Sequence, residues 1–228
     1  YRISTEERRI FNQNLDQPQD NLLGVYLARF LAPATLEGTV FLVHEPVDQV
    51  KQARSAWIYN AGQRRVRRAP DLAYDNINDG TEGLRTTDQF DAWNGAPDRY
   101  DWKLIGRKEV YVPYNSFKLS GNEVTIADVL RPSHVNPDHA RYELHRVWVV
   151  EANLKDGTSH IYKKRVFYID EDSWSIAVTD KYDMRLELWR VSEQHSIIFY
   201  DIPMLYGTVE VHHDLQSARY LAMGLRND

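Results

Sequence analysis

The chain has no cysteine among its 228 residues, which excludes disulfides, thiolate nucleophiles and cysteine-ligated metal centres. A protein without thiols survives in any redox environment, so this absence leaves the compartment open. No apolar run reaches the roughly 18 residues that a membrane-spanning helix needs. A basic excess is missing as well. The formal net charge is -5, which gives no reason to expect the chain as a whole to seek a polyanion.

Catalytic signatures are equally scarce. There is no Gly-x-Ser-x-Gly elbow, no His-Glu-x-x-His helix and no phosphate-binding glycine loop. Ser133-His134, Ser159-His160 and His195-Ser196 are adjacent pairs without a third orienting group beside them. His212-His213-Asp214 is the best metal-like fragment, but neighbouring residues of a strand point to opposite faces. Only His212 and Asp214 would share a side. No catalytic residue, metal site or cofactor is expected, and the activity is expected to be non-enzymatic.

What is present is alternation. Arg141-Tyr-Glu-Leu-His-Arg-Val-Trp-Val-Val-Glu151 mixes bulky apolar and polar residues, Asp156-Gly157 turns the chain, and Ile161–Ile169 returns in the same style. A third apolar run surrounds Trp174–Val178, completing an antiparallel meander. Hydrophobic residues make up 43%, enough for a globular core. The 14 Tyr and 6 Trp suit strands and interfaces, where a ring is buried while its polar atom keeps a partner.

Around the meander, Ser4-Thr-Glu-Glu7 reads as a helix start, with a short helix continuing through Ile10 and Phe11. Residues 21–31 and 38–44 read as strands joined through Pro33, and 47–56 as one short helix. Trp57-Ile-Tyr59 and Arg64–Arg68 form a hairpin about Ala61-Gly62. Residues 71–101 read as a long loop with a helical turn at Thr87–Trp93. Tyr100–Ile105 and Lys108–Val112 are strands divided by Gly106, and three more follow at Met184–Val191, Ser196–Tyr200 and Thr208–Leu215. The absence of a βαβ rhythm argues against a parallel fold.

Two groups of residues are candidates for function. Lys51 to Arg68 contains no acidic residue, and Arg64, Arg65, Arg67 and Arg68 flank Val66. Alternation sends Arg65 and Arg67 to one face and Arg64, Val66 and Arg68 to the other. Such a rim suits an anionic head group or an acidic protein partner, or simply protects a solvated edge strand from pairing. Nucleic acid is not expected, because the patch is short and the rest of the chain is acidic. The second group is aromatic: Trp57, Tyr59, Trp102, Trp148, Phe167 and Trp174 are candidate lining residues for a hydrophobic ligand, or ordinary core.

Several stretches carry a resemblance. Arg29-Phe-Leu-Ala-Pro-Ala-Thr-Leu-Glu-Gly-Thr-Val-Phe-Leu42 and Trp57-Ile-Tyr-Asn-Ala-Gly-Gln-Arg-Arg-Val-Arg-Arg68 resemble segments of outer-membrane lipoprotein-sorting proteins. With Arg99–Tyr114, Arg146–Ala152, His160–Trp174 and Asp214–Leu221, the pattern is similar to the bacterial DUF1329 family, within the LolA/LolB-like carrier superfamily. The resemblance implies a mainly β fold with a few helices. It implies a strongly curved antiparallel sheet forming an incomplete barrel, with a helix and loop lid over a hydrophobic cavity. It also implies a periplasmic location in a Gram-negative cell, with outer-membrane association and peripheral membrane contact. The expected partner is a hydrophobic small molecule, lipid or lipoprotein. The alternative is an envelope interaction module acting on a protein partner through Arg64–Arg68 or a sheet edge. Residues 1–228 are expected to be a single carrier-like domain, a piece lacking both natural ends.

Overall fold

In the computed structural model, residues 5–12, 21–69, 74–78 and 80–225 are described, the first stretch through its strand pairing alone. The chain forms two compact units. One comprises residues 1–82, 86–88 and 95–98, and the other comprises residues 83–85, 89–94 and 99–228.

The first unit holds a five-stranded antiparallel sheet in sequence order: β1 (Thr5–Asn12), β2 (Leu22–Ala32), β3 (Val40–Pro46), β4 (Ser55–Asn60) and β5 (Arg65–Ala69). Gly24, Ala28 and Phe30 of β2 are buried at even positions, and Phe30 meets Phe41 edge-on at 5.8 Å. Gly38 in the β2–β3 turn has φ 77, and an added Cβ would lie 3.0 Å from Ala61. Only glycine fits there without strain.

Two expected helices are replaced. The segment after Ser4 is strand β1, with Ile10 opposite Tyr26 and Phe11 opposite Val25, while Ser4 itself lies outside the described residues. Pairing with a long neighbour outweighs a local cap signal, because a helix this short has little stability of its own. Residues 47–52 form turns in which the Asp48 carboxylate accepts from the backbone N–H groups of Val50 and Lys51 at 2.9 and 3.0 Å. The chain then re-enters the sheet at Ser55.

The second unit holds a seven-stranded antiparallel sheet in the order β14-β13-β12-β11-β10-β9-β6. Its strands are β6 (Tyr100–Pro113), β9 (Tyr142–Leu154), β10 (Lys164–Asp170), β11 (Ile176–Tyr182), β12 (Leu188–Phe199), β13 (Met204–Asp214) and β14 (Arg219–Met223). The meander read from the sequence is its centre. Gly106 does not divide two strands; it sits with φ 138 at a bulge within continuous β6. Two expected strands likewise merge into β12. Between β6 and β9 lie helix α1 (Ile126–Val129) and the two-residue strands β7 (Leu130–Arg131) and β8 (His134–Val135). Thr125 and Asp128 close a capping box on α1. Leu119, Val124 and Val129 from this crossing segment pack on Val209 and Val211 of β13.

Both sheets are open. The strand orders run from one end strand to the other without pairing the ends, so the expected curved, incomplete barrel does not describe this fold. Alternation and short turns specify which neighbours pair, but closure needs a matched shear across every strand that no local signal encodes. No long helix covers either sheet among the described residues, where α1 has four residues and the 3-10 turns of Thr87–Ala92 are broken by non-helical Phe90 and Asp91.

Candidate functional site

Register places two transverse rows on one face of the seven-stranded sheet. The first runs Trp102–Ala152–Arg165–Lys181–Arg190–Asp214–Arg219, and the second runs Leu104–Val150–Phe167–Thr179–Ser192–His212–Leu221. The face is therefore graded. It is apolar and aromatic across β6, β9 and β10, then turns polar across β11, β12 and β13.

At the apolar end, Trp102 stacks on Phe167 with centroids 5.6 Å apart, and Trp93 meets both edge-on at 5.2 and 5.6 Å. Tyr100 closes the group and donates its hydroxyl to the Tyr162 carbonyl at 2.9 Å. Phe167 and Tyr100 are buried, while Trp102 is 39% and Leu104 61% exposed. Trp148 follows on the same strand face, with Arg107 over its ring at 5.1 Å. The aromatic wall thus opens to solvent along β6.

Arg165 marks the transition. Its guanidinium is fully buried and lies 4.8 Å from the Trp93 ring and 5.1 Å from those of Tyr100 and Tyr162. Weakly hydrated guanidinium on aromatic faces is the least costly way to bury a cation. Next in the row, Lys181 donates to the Ser192 hydroxyl, and Arg190 donates to Asp214 and to the Tyr162 hydroxyl, both at 3.1 Å. Burial raises the Tyr162 phenol, with Arg190 and Arg165 opposing.

Beyond lies a buried relay. Ser192 Oγ is 2.6 Å from His212 Nδ1, and His212 Nε2 is 3.2 Å from Glu210 Oε2. The carboxylate only accepts, so Nε2 carries the proton, Nδ1 accepts, and Ser192 donates to it. Burial lowers the imidazole to about 4, with Lys181 and Arg85 adding to the effect against Glu210. Burial also acts to raise Glu210, but Arg85 at 3.7 Å, His212 and the Asp91 N–H outweigh it and hold the carboxyl below its usual range. His212 and Asp214 share this face as alternation required. The serine was not found by adjacency, because it is the cross-strand partner of His212.

The opposite face carries a second carboxylate cluster. Burial raises Glu193, but His195 at 3.8 Å and His213 at 3.4 Å overcome that and lower it, while Tyr142 donates to it at 3.0 Å. Among the described residues, His145, Asp170 and Asp172 offer ligand atoms within 4.8 Å of one another. His145 Nδ1 is hydrogen-bonded to Asp170 Oδ1 at 2.8 Å, and Asp170 Oδ2 accepts from the Ser173 N–H and hydroxyl. That pattern accounts for Asp170 as the residue closing the β10–β11 turn.

The remaining candidates lie elsewhere. Trp174 is 71% exposed in the turn after β10, at φ 58. Trp57 and Tyr59 belong to the first unit, on β4, where His44 meets Trp57 edge-on at 5.0 Å. Trp57 pairs across the ladder with Arg68, and Tyr59 with Val66. The six aromatics are thus not one surface: Trp102, Trp148 and Phe167 share a face, and Trp93 and Tyr100 are partners that the sequence reading passed over. Arg64, Arg65, Arg67 and Arg68 are all exposed on the hairpin turn and on the terminal strand β5.

The fold is similar to a crystal structure described as an outer membrane lipoprotein-sorting protein domain from Vibrio parahaemolyticus. That match has TM-score 0.58 and 15% identity, over 96% of this chain and 81% of that one. A DUF1329 family protein from Desulfovibrio piger aligns with TM-score 0.53 and 17% identity, over 87% and 68%. A LolA superfamily protein from Nitrosomonas europaea aligns with TM-score 0.50 and 11% identity, over 96% and 80%. The chain belongs to the family described as Protein of unknown function (DUF1329), which matches residues 2–228. It is also 54% identical over 208 residues to an uncharacterized protein of Pseudomonas aeruginosa. It covers 46% of that relative's length. None of these descriptions names an enzyme activity.

Proposed function

We propose that the protein binds or carries a hydrophobic ligand without catalysing a reaction, and that it does so in the periplasm in association with the outer membrane. The observation that carries this reading is the half-open aromatic wall of Trp93, Trp102 and Phe167, continued by Leu104 and Trp148 along β6 and β9. A single acyl chain laid on that strip would gain roughly 0.8 kcal/mol for each methylene withdrawn from water. Partial exposure of the strip favours exchange, since a fully enclosed chain would be released slowly.

Likeness to the Vibrio lipoprotein-sorting domain supports the same reading at the level of fold, and its 96% coverage supports treating residues 1–228 as one carrier-like domain. The ligand class is a lipid, an acyl chain or the lipid anchor of a lipoprotein. Trp57, Tyr59 and Trp174 are proposed as separate contact residues rather than members of this strip.

Native purification followed by lipid mass spectrometry tests the proposal. A stoichiometric lipid is expected with the wild-type protein and is expected to be lost from Trp102→Ala. Recovery of no lipid from a folded wild-type protein, over repeated preparations, would count decisively against it.

A further inference from the structure

We propose that the β4–β5 hairpin is a docking edge for an anionic phospholipid bilayer. Four arginines fall within five residues there: Arg64 in the turn at φ 51, and Arg65, Arg67 and Arg68 on β5. All four are exposed, and none makes an ion pair within 4.0 Å among the described residues. The whole chain, these arginines included, has a net charge of -5, so the patch opposes the general character of the molecule. Attraction to an anionic surface must therefore be local and oriented.

The strand geometry selects the partner. β5 ends the five-stranded sheet and pairs with β4 alone, leaving one edge open among the described residues. Its arginines leave both faces of the strand, Arg65 and Arg67 on one side and Arg68 on the other. A plane approached edge-on is reached by long side chains from both faces at once. An added protein strand would instead lie in the sheet plane, between rows of like charge that hinder pairing. Val66, 63% exposed between the arginines, puts an apolar side chain where the head-group layer would be. The proposal is independent of cargo, because a protein carrying nothing could still dock.

The test is flotation of the full chain with vesicles of phosphatidylcholine alone or mixed with phosphatidylglycerol. Binding is expected only with the anionic lipid, and added salt should weaken it. Each juxtaposed arginine contributes about fivefold to partitioning, so R65S/R67S should bind about 25-fold more weakly. R65K/R67K should retain most of the binding, since the interaction is with charge. Both variants change exposed side chains, and equal thermal melting of all three proteins will confirm folding. Equal flotation on neutral vesicles, or R65S/R67S binding like the wild type, would overturn the proposal. So would binding to an acidic peptide strand with no flotation on anionic vesicles.

Discussion

Acidification from pH 7 to pH 5 should destabilise the protein mainly through His212. The ordinary value of the imidazole is 6.5, and burial lowers it to about 4 in the folded chain. Because the folded value is depressed, the unfolded chain binds the proton more readily between those limits. Stability is complete above about pH 6.5 and is withdrawn as pH falls toward 4. Integrating that difference in proton binding gives a loss of about 2 kcal/mol from pH 7 to pH 5. Glu210 works in a lower window, because its depressed carboxyl contributes stability above its ordinary 4.5 and loses it only as pH falls further. Urea unfolding followed by tryptophan fluorescence at pH 7, 6 and 5 measures the slope. His212→Gln should be less stable than the wild type at pH 7 by about 1 kcal/mol, from the weakened relay. Its stability should then change little between pH 7 and 5. An equal acid slope in both proteins would refute the reasoning, since no titrating imidazole would be responsible.

The two aromatic residues of the strip should separate folding from binding. Phe167→Ala, at a site 2% exposed, should cost about 3–5 kcal/mol in urea unfolding. Trp102→Ala, at 39% exposure, should cost much less while abolishing lipid recovery. In the first unit, Glu45→Gln should cost about 3 kcal/mol, because it removes the charge that Arg54 meets at 2.8 Å in a largely buried pair. Arg165→Met should leave global stability within about 2 kcal/mol, because the lost ring contacts and the lost hydrogen bond to His160 are offset by no longer desolvating a buried cation. It should, however, reduce hydrogen-exchange protection in β10, and unchanged protection there would show that the cation plays no part in fixing register.

Strands were legible wherever alternation was backed by a turn residue. Tyr142–Leu154, Lys164–Asp170 and Ile176–Tyr182 overlap the runs read at 141–151, 161–169 and 174–178, shifted by up to a few residues, and Asp156-Gly157 turns as expected. The hairpin from Trp57 to Arg68 was equally clear, because its arginines mark it as an edge. Local signals failed where a distant partner decided the outcome. The residues after Ser4 carry a helix cap pattern yet pair with β2, and Gly106 reads as a break yet makes a bulge. The relay was hidden for the same reason. Ser192 and His212 are 20 positions apart and meet only because β12 and β13 hold them opposite one another. Histidine spacing along the chain carries no trace of that register. The aromatic wall was half visible: Trp102 and Phe167 stand in obvious strands, whereas Trp93 comes from a polar loop where nothing marks it as a packing residue.

The cost of the polar row explains how the apolar strip is held in place. Arg165, Lys181 and Arg190 occupy successive cross-strand positions, and all are nearly inaccessible to water. Like charges side by side in a sheet oppose one another, so the row is poor as a source of stability. It is effective as a device for alignment. A one-residue slip of β10 would turn every side chain to the other face. Arg165 would leave the rings of Trp93, Tyr100 and Tyr162, and Phe167 would leave Trp102. The same slip in β12 would separate Arg190 from Asp214 and Ser192 from His212. An open sheet lacks the closure that fixes register in a barrel, and its alternating apolar residues alone tolerate sliding where both faces carry some. Buried polar partners that fit only one alignment supply the missing constraint. The aromatic strip along β6, β9 and β10 is continuous only in that alignment, so the polar half of the face is what makes the apolar half usable.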